Sequence, residues 1–345
     1  MKRAVQLLVV ALCVVCVAAT VAVAGKPPGG GDTGGGTVYY EAADPAGSGL
    51  GSLWSMNSDG SGKTPLPLVL GPPAFEAEPS RLLHNSRRWF LAIQDAGGTY
   101  PDGITHRDLF AVGEDGLGVP LTLTPDLEED GSLKWAPGDT GVSFRGRRWD
   151  PALGTAVEAG IYFMPVAFDD QGIPFPLGQP ALLVQIERPD SSGYGVTTAT
   201  YTHDWSPDGT KVAYDVWSPE QSQMILVCDL ATGISSLLVS FPANAWGGSP
   251  AWSPDGVTLA FSLNNSIETI NVNDPQATRK QILPAAVWTW YATPTWSPTG
   301  SHIAYDLTKI TQKTPHNYVG RTTADGRGST SLTRDLDWAL SIGWR

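Results

Sequence analysis

From Thr37 onward the chain alternates short apolar runs with small and polar residues at a period of two, broken at short intervals by Gly, Pro, Asp and Asn. No apolar stretch holds the 3.6-residue period long enough to predict a helix. The pattern repeats at roughly 50 residues, a period that points to an array or propeller. Three copies are plain: Trp205-Ser206-Pro207-Asp208-Gly209 before Lys211-Val212-Ala213-Tyr214, Trp252 to Gly256 before Thr258-Leu259-Ala260-Phe261, and Trp296-Ser297-Pro298-Thr299-Gly300 before His302-Ile303-Ala304-Tyr305. Each predicts strand, tight turn, strand, because Pro presets the first turn position and Gly takes the positive φ that follows. A fourth copy, Trp135-Ala136-Pro137-Gly138-Asp139, is scrambled, and a fifth near Arg81-Leu82-Leu83-His84-Asn85 has lost its Trp.

Between these motifs an Asp/Gly-rich turn recurs six times: Asp59 to Gly62, Asp115 to Gly118, Asp169 to Gly172, Asp229 to Gly233, Asn273 to Pro275, and Asp325 to Gly328. Each repeat therefore reads as four strands a to d, with the Trp turn joining a to b and the Asp/Gly turn joining c to d. Thr37 to Tyr40 looks like a strand b and Leu340 to Trp344 like a strand a, so the two ends should share one blade and leave no open sheet edge. The predicted fold is all-β, a six-bladed β-propeller of four-stranded antiparallel blades.

The W-S-P-D-G turn followed by a short strand ending in Tyr or Phe resembles the TolB-type propeller repeat, over about residues 37 to 345. The resemblance implies a fold rather than an activity. Similar repeats occur in transport-associated propellers, in the propellers of prolyl-oligopeptidase-like peptidases and in oligogalacturonate lyases. The α/β domain that precedes the propeller in TolB has no counterpart expected here, which argues against a role in the Tol–Pal system.

Residues 1–24 read as a signal peptide: Lys2 and Arg3 precede an apolar run from Ala4 to Val23, and Ala22-Val23-Ala24 is an A-x-A cleavage site. The rival reading is an uncleaved anchor, since the run is about as long as a bilayer-spanning helix needs. The expected product is periplasmic or secreted, with residues 25–36 a Gly/Pro-rich linker with nothing to bury. Cys13 and Cys16 would leave with the signal, so no internal disulfide is expected and Cys228 reads as a buried strand residue. Removing Lys2 and Arg3 takes the formal charge from −12 to −14. Nucleic acid is excluded as a partner class, and anionic lipid is disfavoured.

Candidate chemistry is thin. Gly60-Ser61-Gly62-Lys63-Thr64 mimics the end of a phosphate loop, but Asn57 stands where the first Gly belongs and no helix follows. There is no G-x-S-x-G, and His84, His106, His203, His302 and His316 never fall at metal-ligand spacing. Neither a cofactor nor a metal is expected, and Asp208 and Asp255 read as turn acids. Trp205, Trp252 and Trp296 read as packing between blades.

Strand order puts the b–c and d–a connections on one face of the disc. Aromatic and Arg residues outside the repeat positions gather there: Arg147, Arg148, Trp149, Tyr201, His203, Trp217, Trp246, Trp288, Trp290, Tyr291 and Tyr318. Such residues are favoured at the centres of interfaces. The expectation is a non-enzymatic recognition or scaffold propeller whose protein or peptide partner is met on this face and across the central channel. The alternatives are a carbohydrate-active propeller holding an acidic glycan through Arg145, Arg147 and Arg148, and a purely structural envelope protein.

Overall fold

The structure, a computed structural model, describes residues 35–43, 51–70, 78–99, 105–122, 127–150, 152, 155–187, 202–218, 222–311, 314–336 and 339–345. The expected signal, residues 25–34 of the linker and Tyr201 lie outside this set.

Blade 1 contains β1 (Thr37–Ala43), β2 (Gly51–Asn57) and β3 (Thr64–Leu70), and blade 2 contains β4 (Glu78–Pro79), β5 (Trp89–Thr99), β6 (Thr105–Gly113) and β7 (Gly118–Pro120). Blade 3 contains β8 (Leu127–Trp135), β9 (Gly141–Asp150), β10 (Thr155–Phe168), β11 (Pro174–Pro176) and β12 (Ala181–Glu187). Blade 4 contains β13 (His203–Trp205), β14 (Lys211–Ser218), β15 (Ser222–Asp229) and β16 (Ile234–Ser240). Blade 5 contains β17 (Gly247–Trp252), β18 (Thr258–Leu263), β19 (Ser266–Asn271) and β20 (Lys280–Leu283). Blade 6 contains β21 (Thr289–Trp296), β22 (His302–Thr311), β23 (Thr314–Thr323) and β24 (Thr330–Ser331), after which β25 (Ala339–Trp344) returns to blade 1. Every sheet runs a-b-c-d, and blade 1 is ordered β25-β1-β2-β3. The fold is the six-bladed propeller that the turns predict, closed by antiparallel pairing of Val38 with Trp344 and Ala42 with Ala339. One correction concerns blade 3, which has five strands because its outer position is split between β11 and β12, both paired to β10.

The a–b turns are made as the motif requires. Gly209, Gly256 and Gly300 lie at φ +71°, +71° and +72°, and each N–H returns to the carbonyl of the Ser three residues earlier at 2.9 Å. Burial alone would push Asp208 up, but hydrogen bonds from Ser206 and Thr210 outweigh it and hold the carboxyl low. The c–d acids Asp59, Asp229 and Asp325 are held low mainly by Ser61, Thr232 and Thr323. These acids are fastened into turns, which suits an architectural role.

The core lies between blades, and the Trp that ends each strand a is its wedge. Trp135 packs with Leu91, Leu109 and Ala111 of blade 2, and Trp205 with Ile161 and Phe163 of blade 3. Trp252 packs with Ala213, Ile225 and Val239 of blade 4, Trp296 with Ala251, Ala260 and Ile267 of blade 5, and Trp344 with Ala304, Val319 and Leu332 from blade 6. In blade 2 the wedge position is Pro79, and the junction with blade 1 is correspondingly thin. Among the described residues its buried cluster is Tyr39, Leu53 and Phe90, with Leu66 and Val112 against it, helped by the Arg88 guanidinium 5.7 Å over the Tyr39 ring and by the Tyr39 hydroxyl donating to Glu114. Cys228 is buried in the junction between blades 3 and 4.

Candidate functional site

Strands a of five blades, with Arg81 of blade 2 and parts of strands b, line a central channel whose cavity is about 540 Å³. Its lining has an axial order set by the repeat. Three residues before Trp135, Trp205, Trp252 and Trp296 stand Ser132, Thr202, Ser249 and Thr293, a partial ring of hydroxyls. Ser132, Ser249 and Thr293 sit at φ +54°, +52° and +43°, and strand a breaks register beside each of them, so a bulge sets the hydroxyl's direction. Glu41 and Asp306 occupy the same position of strand b in neighbouring blades 1 and 6. Burial pushes the Glu41 carboxyl up, while Asp306 accepts a hydrogen bond from Thr293. Nearer the a–b turns the lining is cationic, with Arg81, Lys134 and Arg345. Asp204 is held among them, accepting from the Trp252 N–H at 2.8 Å and lying 3.6 Å from Arg81.

His203 belongs to this channel wall. It is 1% exposed, with Nδ1 2.9 Å from Ser132 Oγ and Nε2 2.7 Å from Ser143 Oγ, while Trp205 Nε1 donates to the same Ser143 Oγ. Strand order alone puts His203 on the exposed loop face. The correction follows from its offset: two residues before the Trp, other blades carry Leu133, Pro250 and Pro294, so this is an inward position. Burial, assisted by Lys134, lowers its pKa to about 3. With 1% exposure and both ring nitrogens on serine hydroxyls, His203 ties blade 4 to blade 3.

This tie makes a pH prediction. The unfolded histidine takes up a proton near its ordinary value of 6.5 and the folded one does not until about 3, so stability is lost as pH falls from 6.5 toward 3. The slope from this group is roughly 1.4 kcal/mol per pH unit. Replacing His203→Gln should flatten the acid limb of a denaturant-stability curve by that amount; parallel limbs in parent and variant would show that His203 is protonated in the fold.

On the opposite side of the hydroxyl ring lies the face of b–c and d–a connections. Trp217, Trp246 and Trp288 are 41%, 49% and 64% exposed, and Val287 beside Trp288 is 82% exposed. Their backbones are pinned. Gln223, the register partner of Trp217, bonds the Gly247 N–H and C=O through its amide, and the Trp246 N–H and C=O are both taken by Asn264. Ala286 to Thr289 forms a tight turn with the Thr289 N–H on the Ala286 carbonyl. Trp290, Tyr291 and Tyr318 are half-buried, Tyr291 against the Tyr305 ring and Tyr318 against His316. Trp149 is corrected: it is 3% exposed and packs on Ala156, whose small side chain across the β9–β10 ladder leaves room for the indole. Arg148 is engaged, 3.6 Å from Glu158 and donating to the Pro180 carbonyl, and Arg145 and Arg147 are half-buried. Among the described residues no cluster of His, Cys, Asp and Glu is placed to hold a metal ion, and no helix is long and apolar enough to cross a membrane.

No protein-family model matches the chain. A stretch of 86 residues, 23% of the chain, is 35% identical to the Tol-Pal system protein TolB of Alcanivorax borkumensis, of which it covers 19%. Among solved structures the fold is similar to TolB from Acinetobacter baumannii, with a TM-score of 0.56 at 14% identity over 90% of this chain and 66% of that one. A putative TolB from Agrobacterium tumefaciens matches with a TM-score of 0.52 at 14% identity, over 89% of this chain and 98% of that one. The chain is thus a TolB-like propeller in fold, and it spans about a fifth of the length of the curated relative.

Proposed function

We propose that this chain is an exported, non-enzymatic recognition propeller that binds a protein or peptide on the face bearing Trp217, Trp246 and Trp288, over the mouth of the channel. One observation carries the reading. Trp288 is the third residue of a four-residue turn at φ +57°, a position that Gly or Asn fills by preference and that costs a bulky residue about 1–2 kcal/mol. Its indole gains little burial in return, being 64% exposed. A strained backbone presenting a large apolar side chain to water makes sense as a pre-formed anchor for a partner. The rigid backbones of Trp217 and Trp246 extend that logic, because little ordering entropy remains to oppose binding. The likeness to TolB propellers and the expected signal peptide support the exported setting of this reading.

The test is a cross-linking pull-down from exporting cells. A Trp246→Ala, Trp288→Ala chain should lose the partner that the parent captures. Trp288→Gly should lose it too while being at least as stable as the parent, since Gly accepts positive φ freely. Equal capture by all three chains would remove the loop face from consideration, and a stability loss above about 1 kcal/mol in the Gly variant would make Trp288 a structural residue.

A further inference from the structure

The outer strand of each blade is a potential pairing edge, and most of these edges are blunted. β3 carries Pro65 and Pro67, β7 is three residues ending in Pro120, β11 begins and ends with Pro, and Pro180 precedes β12. β20 is four residues headed by Lys280, and β24 is two residues long. Pro, brevity and Lys are the devices by which sheet edges avoid pairing. β12 and β16, seven residues each, have no Pro or Lys within them; β12 keeps its large apolar residues at least half-buried, whereas β16, with a bulge at Leu238, exposes two. β16 reads Ile234-Ser235-Ser236-Leu237-Leu238-Val239-Ser240, with Ile234 64% and Leu237 59% exposed, and it is the terminal strand of its sheet among the described residues.

The charge pattern says what fits there. From Leu230 to Pro254 the sequence holds no Asp, Glu, Lys, Arg or His, in a chain that is 16% charged and carries −12 overall. An edge without charge lets copies of an acidic protein approach with little like-charge repulsion. We propose that β16 is a self-association edge, at which two copies join their blade 4 sheets by antiparallel pairing of β16 with β16 of the second copy. A two-fold axis at Leu237 brings Leu237 against its counterpart and Ser236 beside the bulged Leu238 of the other copy, with no charge on either side. Two seven-residue strands bury less than the roughly 1,200 Å² of stable complexes, so the dimer is reversible and concentration-dependent. Salt strengthens it by screening the net negative charge. This inference stands apart from the loop face, since the edge lies on the rim of the disc.

The test is analytical ultracentrifugation of the purified protein from about 1 to about 500 µM, a range that reaches the weak end of specific association. The parent should move from monomer to dimer across it, with the midpoint falling to lower concentration in added salt. Ser236→Pro and Leu237→Lys should stay monomeric at an unchanged melting temperature. Under mild oxidation Leu237→Cys should give a disulfide-linked dimer, whereas Thr330→Cys on the short edge of blade 6 should not. A parent that is monomeric throughout, a dimer that survives both edge variants, or equal cross-linking at residues 237 and 330 would each overturn the proposal.

Discussion

A chain ending at residue 338 will show no cooperative thermal transition and will elute as aggregate rather than as a folded monomer. β25 supplies strand a of blade 1, so its loss removes the inner strand of one blade and opens the ring. Trp344 is 1% exposed within the cluster of Val38, Tyr40, Met56, Ala304 and Val319, and its Nε1 donates to the Gly35 carbonyl, which holds the last residues of the linker against the ring. Arg345 adds reciprocal backbone bonds with Thr37 and a side-chain bond to the Pro79 carbonyl, bracing the thin junction between blades 1 and 2. Burying one Trp is worth about 5 kcal/mol on area alone, and the deletion also strips the pairing partner from β1. The sum is comparable to the whole net stability of a typical domain, about 5–15 kcal/mol. It leaves Val38, Tyr40 and Ala42 on an open apolar edge, the arrangement that invites aggregation. A scanning-calorimetry endotherm near that of the parent would mean that the ring closes without β25.

The propeller was legible because its signals are local. Each tight turn is fixed by residues within a few positions of one another, and the count of turns and the strand types at the two ends then leave one closure. What was illegible depends on neighbours in space. Trp149 and Trp217 look alike in sequence, both bulky and near the end of a strand b, but Trp149 faces Ala156 across the ladder and is buried while Trp217 faces Gln223 and is 41% exposed. His203 could have been placed inside by counting back from Trp205, and the same count would have found the hydroxyls Ser132, Thr202, Ser249 and Thr293. The split outer strand of blade 3 had no such signal, since Pro174-Phe175-Pro176 and the segment after Pro180 read equally well as one interrupted strand or as loop.

The two imperfect repeats explain each other, and Asp139 is where they meet. In blade 3 the turn reads Trp135-Ala136-Pro137-Gly138-Asp139, with Asp and Gly exchanged relative to Trp205 to Gly209. The exchange puts Gly138 at φ +68° and Asp139 at φ +52°, and turns the carboxylate out of its own turn. It reaches blade 2, where the motif is missing. Oδ1 accepts the Arg81 N–H at 2.8 Å, and Oδ2 accepts the Leu82 N–H at 2.8 Å and lies 2.9 Å from His84 Nε2. His84 in turn stacks on Phe168 of blade 3. Asp139 is 2% exposed, and its removal takes the acceptor from two backbone donors and a partly buried imidazole. Asp139→Ala should therefore cost about 2.5–4 kcal/mol: roughly 1.5–3 for the charge-assisted bonds and about 1 for a side chain other than Asn or Gly at positive φ. At about 2.1 cal/mol/K per residue, over roughly 310 residues, that lowers Tm by about 4–6 °C. The sharper experiment restores the motif by exchanging Gly138→Asp and Asp139→Gly together. A local turn would welcome the change, since it recreates the Asp208-Gly209 order; a carboxylate that serves as a tie between blades would be lost from its partners. We expect the double variant to unfold at a temperature near that of Asp139→Ala, and recovery to the parental Tm would assign Asp139 to its own turn and leave the 81–84 segment held by something else.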